Sequence, residues 1–289
     1  MHSLLFLAKQ YFSIKSVISL LLVTIGMMSS NLSLADNNKC TEPLILGWDS
    51  WSPYQYLDAD KQLTGLDIEL INTIAKNAGC PIVYQNMPWK RTLNMIELGK
   101  IHLAAGASKT SDREAYAYFT DAYRSEQVAL FVRQEDINKH KINSLKDILN
   151  FPFSIGIIDG VYYGELFEQL IQKNDFKKRI HIMRSNSYNA KMVARHHLDG
   201  MLGDPIPTKQ QLIKLGYLDL IKRHPMPLID TGDIHIMLSK KSTSINTVRL
   251  LNKSISELKE NGGIEKIFSK YSYESSINKK ESVDLAQQP

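Results

Sequence analysis

The stretch best equipped for chemistry is Ala107-Ser108-Lys109-Thr110-Ser111-Asp112-Arg113. It follows an apolar run, Ile101 to Ala105, and precedes Glu114. Thr110 is a good N-cap residue, and Asp112 and Glu114 are acids in the turn after it. The pattern predicts a strand over 101–105, a turn at Gly106 and a helix beginning at Ser111. A helix start presents free N–H groups and partial positive charge. An arginine adds a fork of donors matched to a carboxylate. Together these groups make carboxylate-binding chemistry. The same residues also spell an ordinary capped helix with a solvated arginine, the commoner fate of a surface arginine.

The elements that must position this stretch read as alternating strands and helices. Leu44 to Trp48 is a strand, followed by an aromatic loop from Asp49 to Tyr56 that Pro53 breaks. Gly65 precedes a helix with Leu66, Leu70, Ile74 and Ala78 on its apolar face, ended by Gly79. Pro81 to Tyr84 is a strand, and Met87-Pro88-Trp89 opens a helix that Gly99 ends. Gln127 to Val132 is a strand, and the polar run from Arg133 to Asn143 reads as a linker. A second set follows: strands at 153–158, 179–183 and 198–203, and helices through Leu166, through 188–197 and through Leu212. Ile234 to Leu238 is a strand expected to return to the first set. An amphipathic helix over 245–259 and a short helix over 264–271 come last, and the tail from Ser275 is polar. Such alternation argues for open, mostly parallel α/β sheets. Ligands of these sheets sit outside the carboxyl ends of the strands. Asp49, Trp51, Trp89 and the 108–113 stretch all follow strand ends, so they are expected to converge on one cleft. Asp67 and Glu69 read as surface acids at a helix start.

With 289 residues, the chain is long for one core and comfortable for two. Lys9 and Lys15 precede an apolar run from Val17 to Met28, and Ser33-Leu34-Ala35 supplies small residues at the positions a signal peptidase reads. Residues 1–35 are therefore expected to be a signal peptide; a retained anchor is the alternative. An exported chain meets an oxidising compartment, so Cys40 and Cys80 are expected to pair. Each stands just before a strand, which brings them to one edge if the strands are parallel neighbours. Two buried free thiols are the alternative. Two cysteines without clustered histidines make a poor zinc site, and no metal or cofactor is expected. The formal charge is +5. Loss of residues 1–35, with two lysines and no acid, lowers it further. Nothing resembles a nucleic-acid footprint.

Leu63-Thr64-Gly65-Leu66-Asp67-Ile68-Glu69-Leu70 resembles the "G-F-D-x-D-L" opening of the family 3 periplasmic solute-binding proteins. Pro88-Trp89 to Gly99-Lys100, Ala105 to Arg113, Phe119-Thr120-Asp121-Ala122-Tyr123 and Leu198 to Asp204 continue in that family's order. The resemblance covers roughly residues 43–272. It implies the type II periplasmic binding protein fold: two α/β lobes joined by two hinge crossovers, with a ligand trapped between them. The corresponding boundaries are 36–132 plus 232–272 for lobe 1, 133–231 for lobe 2, and 273–289 for a tail. Carried over residue by residue, Arg113 and Ser108 match the groups that hold an α-carboxylate. Asp204 matches the acid that takes the α-ammonium, Trp51 and Trp89 match the aromatic walls, and Asp49 matches a receiver of distal positive charge. Asp49 and Asp204 also read as simple turn caps, and the two tryptophans as core.

There are departures. The second-lobe loop is Gly160-Val161-Tyr162-Tyr163 where the family has glycine and small hydroxyl residues, so the Tyr162 phenol is the available substitute. Ala105 and Gly106 stand where amino-acid binders often carry Ser or Thr, and Ala122 replaces a usual Pro. The implied function is capture of a small carboxylate-bearing solute, an amino acid or a relative, by a periplasmic monomer that delivers it to the permease of an inner-membrane ABC transporter. The alternatives are a cyclohexadienyl dehydratase-like enzyme on the same fold and a ligand-sensing partner of a membrane receptor. No triad, metal set or phosphate loop supports an enzyme.

Overall fold

The structure, a computed structural model, describes residues 40 and 42–271. The expected signal peptide and most of the polar tail lie outside them. In chain order the strands are β1 Leu44–Trp48, β2 Tyr56–Leu57, β3 Leu63–Thr64, β4 Ile82–Asn86, β5 Leu103–Ser108, β6 Ala117–Phe119, β7 Arg124–Arg133, β8 Ile155–Ile158, β9 Ile180–Met183, β10 Gly200–Gly203, β11 Ile221–Arg223 and β12 Ile229–Ser239. The helices are α1 Leu66–Asn77, α2 Trp89–Glu97, α3 Ser111–Glu114, α4 Glu165–Ile171, α5 Asn174–Lys177, α6 Asn186–Ala194, α7 Pro205–Leu215 and α8 Ile245–Glu260, with a last helix α9 over 263–271.

β4, β1 and β5 run parallel, and β12 joins β5 antiparallel. β9, β8 and β10 form a second parallel set, which β7 joins antiparallel at β10. β7 and β12 are long because each serves two neighbourhoods. Residues 124–128 of β7 pair with 229–234 of β12, while 129–132 pair with β10. Strand order is therefore continuous, β4-β1-β5-β12-β7-β10-β8-β9. The fold is the two-lobed type II arrangement, with β7 and β12 passing between the two sets.

Each parallel set is apolar on both faces, as strands covered by helices must be. Leu44, Leu46, Leu70, Ile74, Ile236, Leu251 and Ile255 fill one face of the first set, and Ile96, Ile101, Ala104 and Met237 the other. Val128, Leu130, Ile155, Phe167 and Phe176 fill one face of the second, and Phe131, Val193, Met201 and Leu212 the opposite one. A disulfide joins Cys40 to Cys80.

Some elements differ from their sequence reading. β5 does not stop at Gly106 but runs through it to Ser108, because β12 supplies partners along Leu103–Ser108. β7 begins three residues before Gln127, since Arg124–Val128 are paired by β12. The short strands β2, β3, β6 and β11 carry too little alternation to be seen in the sequence. Asp67 is not a surface acid: it is fully buried. It lies three, four and seven residues before Leu70, Ile71 and Ile74, on the core face of α1.

Candidate functional site

The loops that follow β1, β4, β5 and β8 supply one group of residues. Asp49 follows β1 and accepts hydrogen bonds from the amides of Ser50 (2.8 Å) and Trp89 (3.1 Å). It thereby caps α2 and sets Trp89. Thr110 caps α3, its hydroxyl accepting from the Arg113 amide at 3.4 Å. α3 is a single turn, so its dipole is small; the anion chemistry rests on the Arg113 side chain. Arg113 is buried. Its Nη1 donates to the Ser108 carbonyl at 2.6 Å and its Nη2 to the Gly160 carbonyl at 2.8 Å. Trp89 Nε1 donates to that same Gly160 oxygen at 3.0 Å. The guanidinium carbon lies 5.7 Å from the Trp89 ring centroid.

Gly160 tolerates this approach for two reasons. Its φ is +78°, and a Cβ there would sit 3.1 Å from Leu93 Cδ1 and 3.3 Å from Lys90 Cδ. The loop before β8's partner helix thus reaches α2 through bare backbone. Lys90 and Asp159 add an exposed pair at 3.6 Å, of a kind that contributes about 0–1 kcal/mol. Burial lowers the pKa of Arg113; Tyr116, Glu168, Glu126 and Tyr162 act in the opposite direction. Tyr162 therefore lies within electrostatic reach of Arg113. The neighbouring Tyr163 is turned inward, its oxygen accepting from the Ile158 amide at 2.8 Å.

A second group was not foreseen. Arg124, at the start of β7, is held by both oxygens of Asp67 (Nε at 2.9 Å, Nη2 at 3.1 Å) and by Glu126 (Nη1 at 3.1 Å). Its guanidinium carbon is 4.1 Å from the Tyr54 ring centroid. Tyr54 donates to Asp204 Oδ2 at 2.9 Å, while Asp204 Oδ1 caps α7 by accepting from the Ile206 amide at 2.8 Å. Asp204 is thus both a turn cap and a contact between lobes. Gly106 makes room for the cluster. At φ +74°, a Cβ there would lie 3.3 Å from Asp67 Oδ2 and 3.6 Å from Arg124 Nη2. A Ser or Thr at this position would press on the buried pair, which accounts for that departure from the usual residues.

The charge balance is uneven. Asp67, Glu126 and Asp204 are buried carboxylates, and Arg124 is the one guanidinium bonded to any of them among the described residues. Burial, with the nearby Asp204 and Asp67, pushes the Glu126 carboxyl up to about 7, against the lowering effect of Arg124. Burial also raises Asp204, although the Ile206 amide, the Tyr54 hydroxyl and Arg124 hold it down. Arg124 is raised well above its usual range, because Asp67 and Glu126 outweigh its own desolvation.

The structure therefore brings Arg113, Trp89 and Ser108 together, with Tyr162 nearby. Asp204 meets Tyr54 instead, and Trp51 joins that side through an edge-on ring contact with Tyr54 at 6.2 Å. The indole nitrogen of Trp51 is buried and makes no hydrogen bond. Asp49 is occupied by backbone amides. Tyr54, Arg124 and Glu126 escaped sequence reading and Asp67 reads there as a surface acid, although Arg124 and Glu126 two apart would share one face of a strand.

The sequence matches the bacterial extracellular solute-binding proteins, family 3, over residues 44–274. The chain belongs to this family. Among its relatives, a probable histidine-binding protein of Neisseria gonorrhoeae is 24% identical over 229 residues, covering 76% of this chain and 79% of the relative. The arginine-binding extracellular protein ArtP of Bacillus subtilis (strain 168) is 21% identical over 262 residues, covering 86% and 93%. In fold the chain is similar to an ancestral arginine-binding protein bound to arginine (TM-score 0.67, 22% identity, 79% of this chain and 97% of the other). It is equally similar to a histidine kinase sensor domain with similarity to periplasmic binding proteins (TM-score 0.68, 14% identity, 80% and 96%). As a family 3 member it is a solute-binding protein, and the family accounts for the two-lobed frame around Arg113 and Asp204.

Proposed function

We propose that this protein captures a small carboxylate-bearing solute, an amino acid or close relative, between its lobes and delivers it to the permease of an inner-membrane ABC transporter. It works as a monomer in the periplasm, after export directed by residues 1–35. Lobe 1 comprises 36–132 and 232–272 and lobe 2 comprises 133–231, with β7 and β12 as the hinge; 273–289 is a tail outside both. The protein is a binder rather than an enzyme, in keeping with relatives named as binding proteins.

One observation carries the reading. Arg113 is buried, and its side-chain hydrogen bonds among the described residues go to two carbonyls and to no carboxylate. A solute carboxylate brings a full negative charge and two oxygens to the same fork, a stronger acceptor than a neutral carbonyl, so it displaces the Gly160 carbonyl. The solute's ammonium is directed to Asp204, with Trp51, Trp89 and Tyr162 walling the space between and Ser108 beside the carboxylate. Engaging Arg113 from one lobe and Asp204 from the other couples binding to closure about the hinge.

The test is a thermal-shift screen against amino acids, polyamines, short peptides and organic acids, followed by calorimetry of hits. A solute at one hundred times its Kd stabilises by about 2.7 kcal/mol. Arg113→Ala removes one partner of a desolvated charge pair, at about 2–5 kcal/mol, and binding is expected to become undetectable. Absence of a shift with every zwitterion rejects the reading.

A further inference from the structure

We propose that Glu126 is a second acid of the cation-receiving end of the cleft, sharing an entering ammonium or guanidinium group with Asp204 and releasing a proton as that group arrives. The inference rests on the solute-binding reading above and assigns a specificity-determining role to a residue of the crossover strand.

The geometry carries it. Glu126 belongs to the segment of β7 that pairs with β12, opposite Gly232, where the chain passes between lobes. Its backbone is pinned there, the carbonyl accepting from Thr231 Oγ1 at 2.9 Å. Asp204 arrives from the other lobe and is held by Tyr54, whose ring lies against Arg124. Arg124 bonds Glu126 and acts electrostatically on Asp204, but Asp67 engages it through two oxygens. Asp67 and Glu126 thus share one guanidinium while Asp204 bonds none, and an additional positive charge completes the balance.

The groups facing Glu126 come from every surrounding element. Arg124 lies on its own strand, Asp67 on α1 and Tyr54 in the loop after β1. Asp204 stands at the start of α7, Arg113 on α3 and Tyr163 in the loop after β8. Burial and the two acids hold its carboxyl near pH 7, so at neutrality it is partly protonated. A cation favours the carboxylate. Its arrival transfers the Glu126 proton to solvent, and no other bond changes.

The experiment titrates the purified protein with L-arginine, whose charge is constant between pH 6 and 8, by calorimetry in buffers of different ionisation enthalpy. The wild type is expected to release close to one proton per ligand at pH 6 and almost none at pH 8. Its affinity then falls about tenfold from pH 8 to pH 6. Glu126→Gln is expected to bind more weakly at pH 8, by tenfold or more, and to lose both the proton release and the pH dependence.

Wild-type binding with no proton release and equal affinity at the two pH values overturns the proposal without any variant, so a poorly folded Glu126→Gln protein does not protect it. A Glu126→Gln protein with wild-type affinity and proton count overturns it and leaves the solute-binding reading standing. If L-arginine does not bind, the same measurements are made with whichever amino acid the screen finds. If none of the standard amino acids binds at any pH, the zwitterion reading itself falls and this inference with it.

Discussion

Tyr54 donates its phenolic hydrogen to Asp204 at 2.9 Å, across a separation of 150 residues. The bond joins the loop after β1 to the residue that caps α7, and hence one lobe to the other. Tyr54 is itself placed by helix capping: its carbonyl and that of Pro53 accept the amides of Asp67 and Leu66 at 2.9 Å. Capping of α1 and the contact between lobes therefore depend on the same short loop.

Tyr54→Phe keeps the ring against Arg124 and removes only the hydroxyl. Asp204 Oδ2 then loses its buried donor, a loss of about 1–3 kcal/mol. Urea unfolding should show a lower midpoint with an unchanged slope. An unaltered midpoint means that the bond contributes nothing in solution.

Arg124→Leu leaves Asp67 and Glu126 buried without their cation. Breaking a buried pair in this way typically destabilises by about 3–5 kcal/mol. Adding Asp67→Asn should recover part of the loss, because the uncompensated charge is then gone. A double-mutant cycle measures the coupling directly; independent, additive effects contradict the pairing.

The raised Glu126 carboxyl makes stability depend on pH with a definite sign. Its folded value of about 7 lies above the ordinary 4.5, so the folded state binds the proton more tightly than the unfolded state does. The corresponding stabilisation is present in full below about pH 4.5 and is lost as pH rises to about 7. Glu126→Gln should flatten thermal midpoints across that window. Equal slopes for wild type and variant mean that Glu126 titrates normally.

Asp49 accepts from the backbone at the start of α2, and its replacement by alanine should lower stability by about 1 kcal/mol. Solute affinity should fall far less than in Arg113→Ala. A loss of binding comparable to Arg113→Ala, measured by calorimetry, would instead make Asp49 a direct ligand group.

Strand–helix alternation, the Thr110 cap, the turn at Gly160 and the apolar runs were local patterns. They sufficed for the α/β class, for the order of most elements and for the resemblance that singled out Arg113, Trp89 and Asp204. Periodicity reports which face of an element is buried, and capping reports where a helix begins; both depend on residues a few positions apart. The pairing of Cys40 with Cys80 was legible for a similar reason, since β1 and β4 are parallel neighbours. The partners of Tyr54, Asp67, Arg124 and Glu126 were not legible. Asp67 and Arg124 are 57 residues apart, and Tyr54 and Asp204 are 150. A charged residue in a sequence looks solvated until something shows that its counter-charge is buried beside it. Only the crossing of β7 and β12 between the sheets supplies that information, because it carries Arg124 and Glu126 inward to meet Asp67 and faces Asp204 from the second lobe.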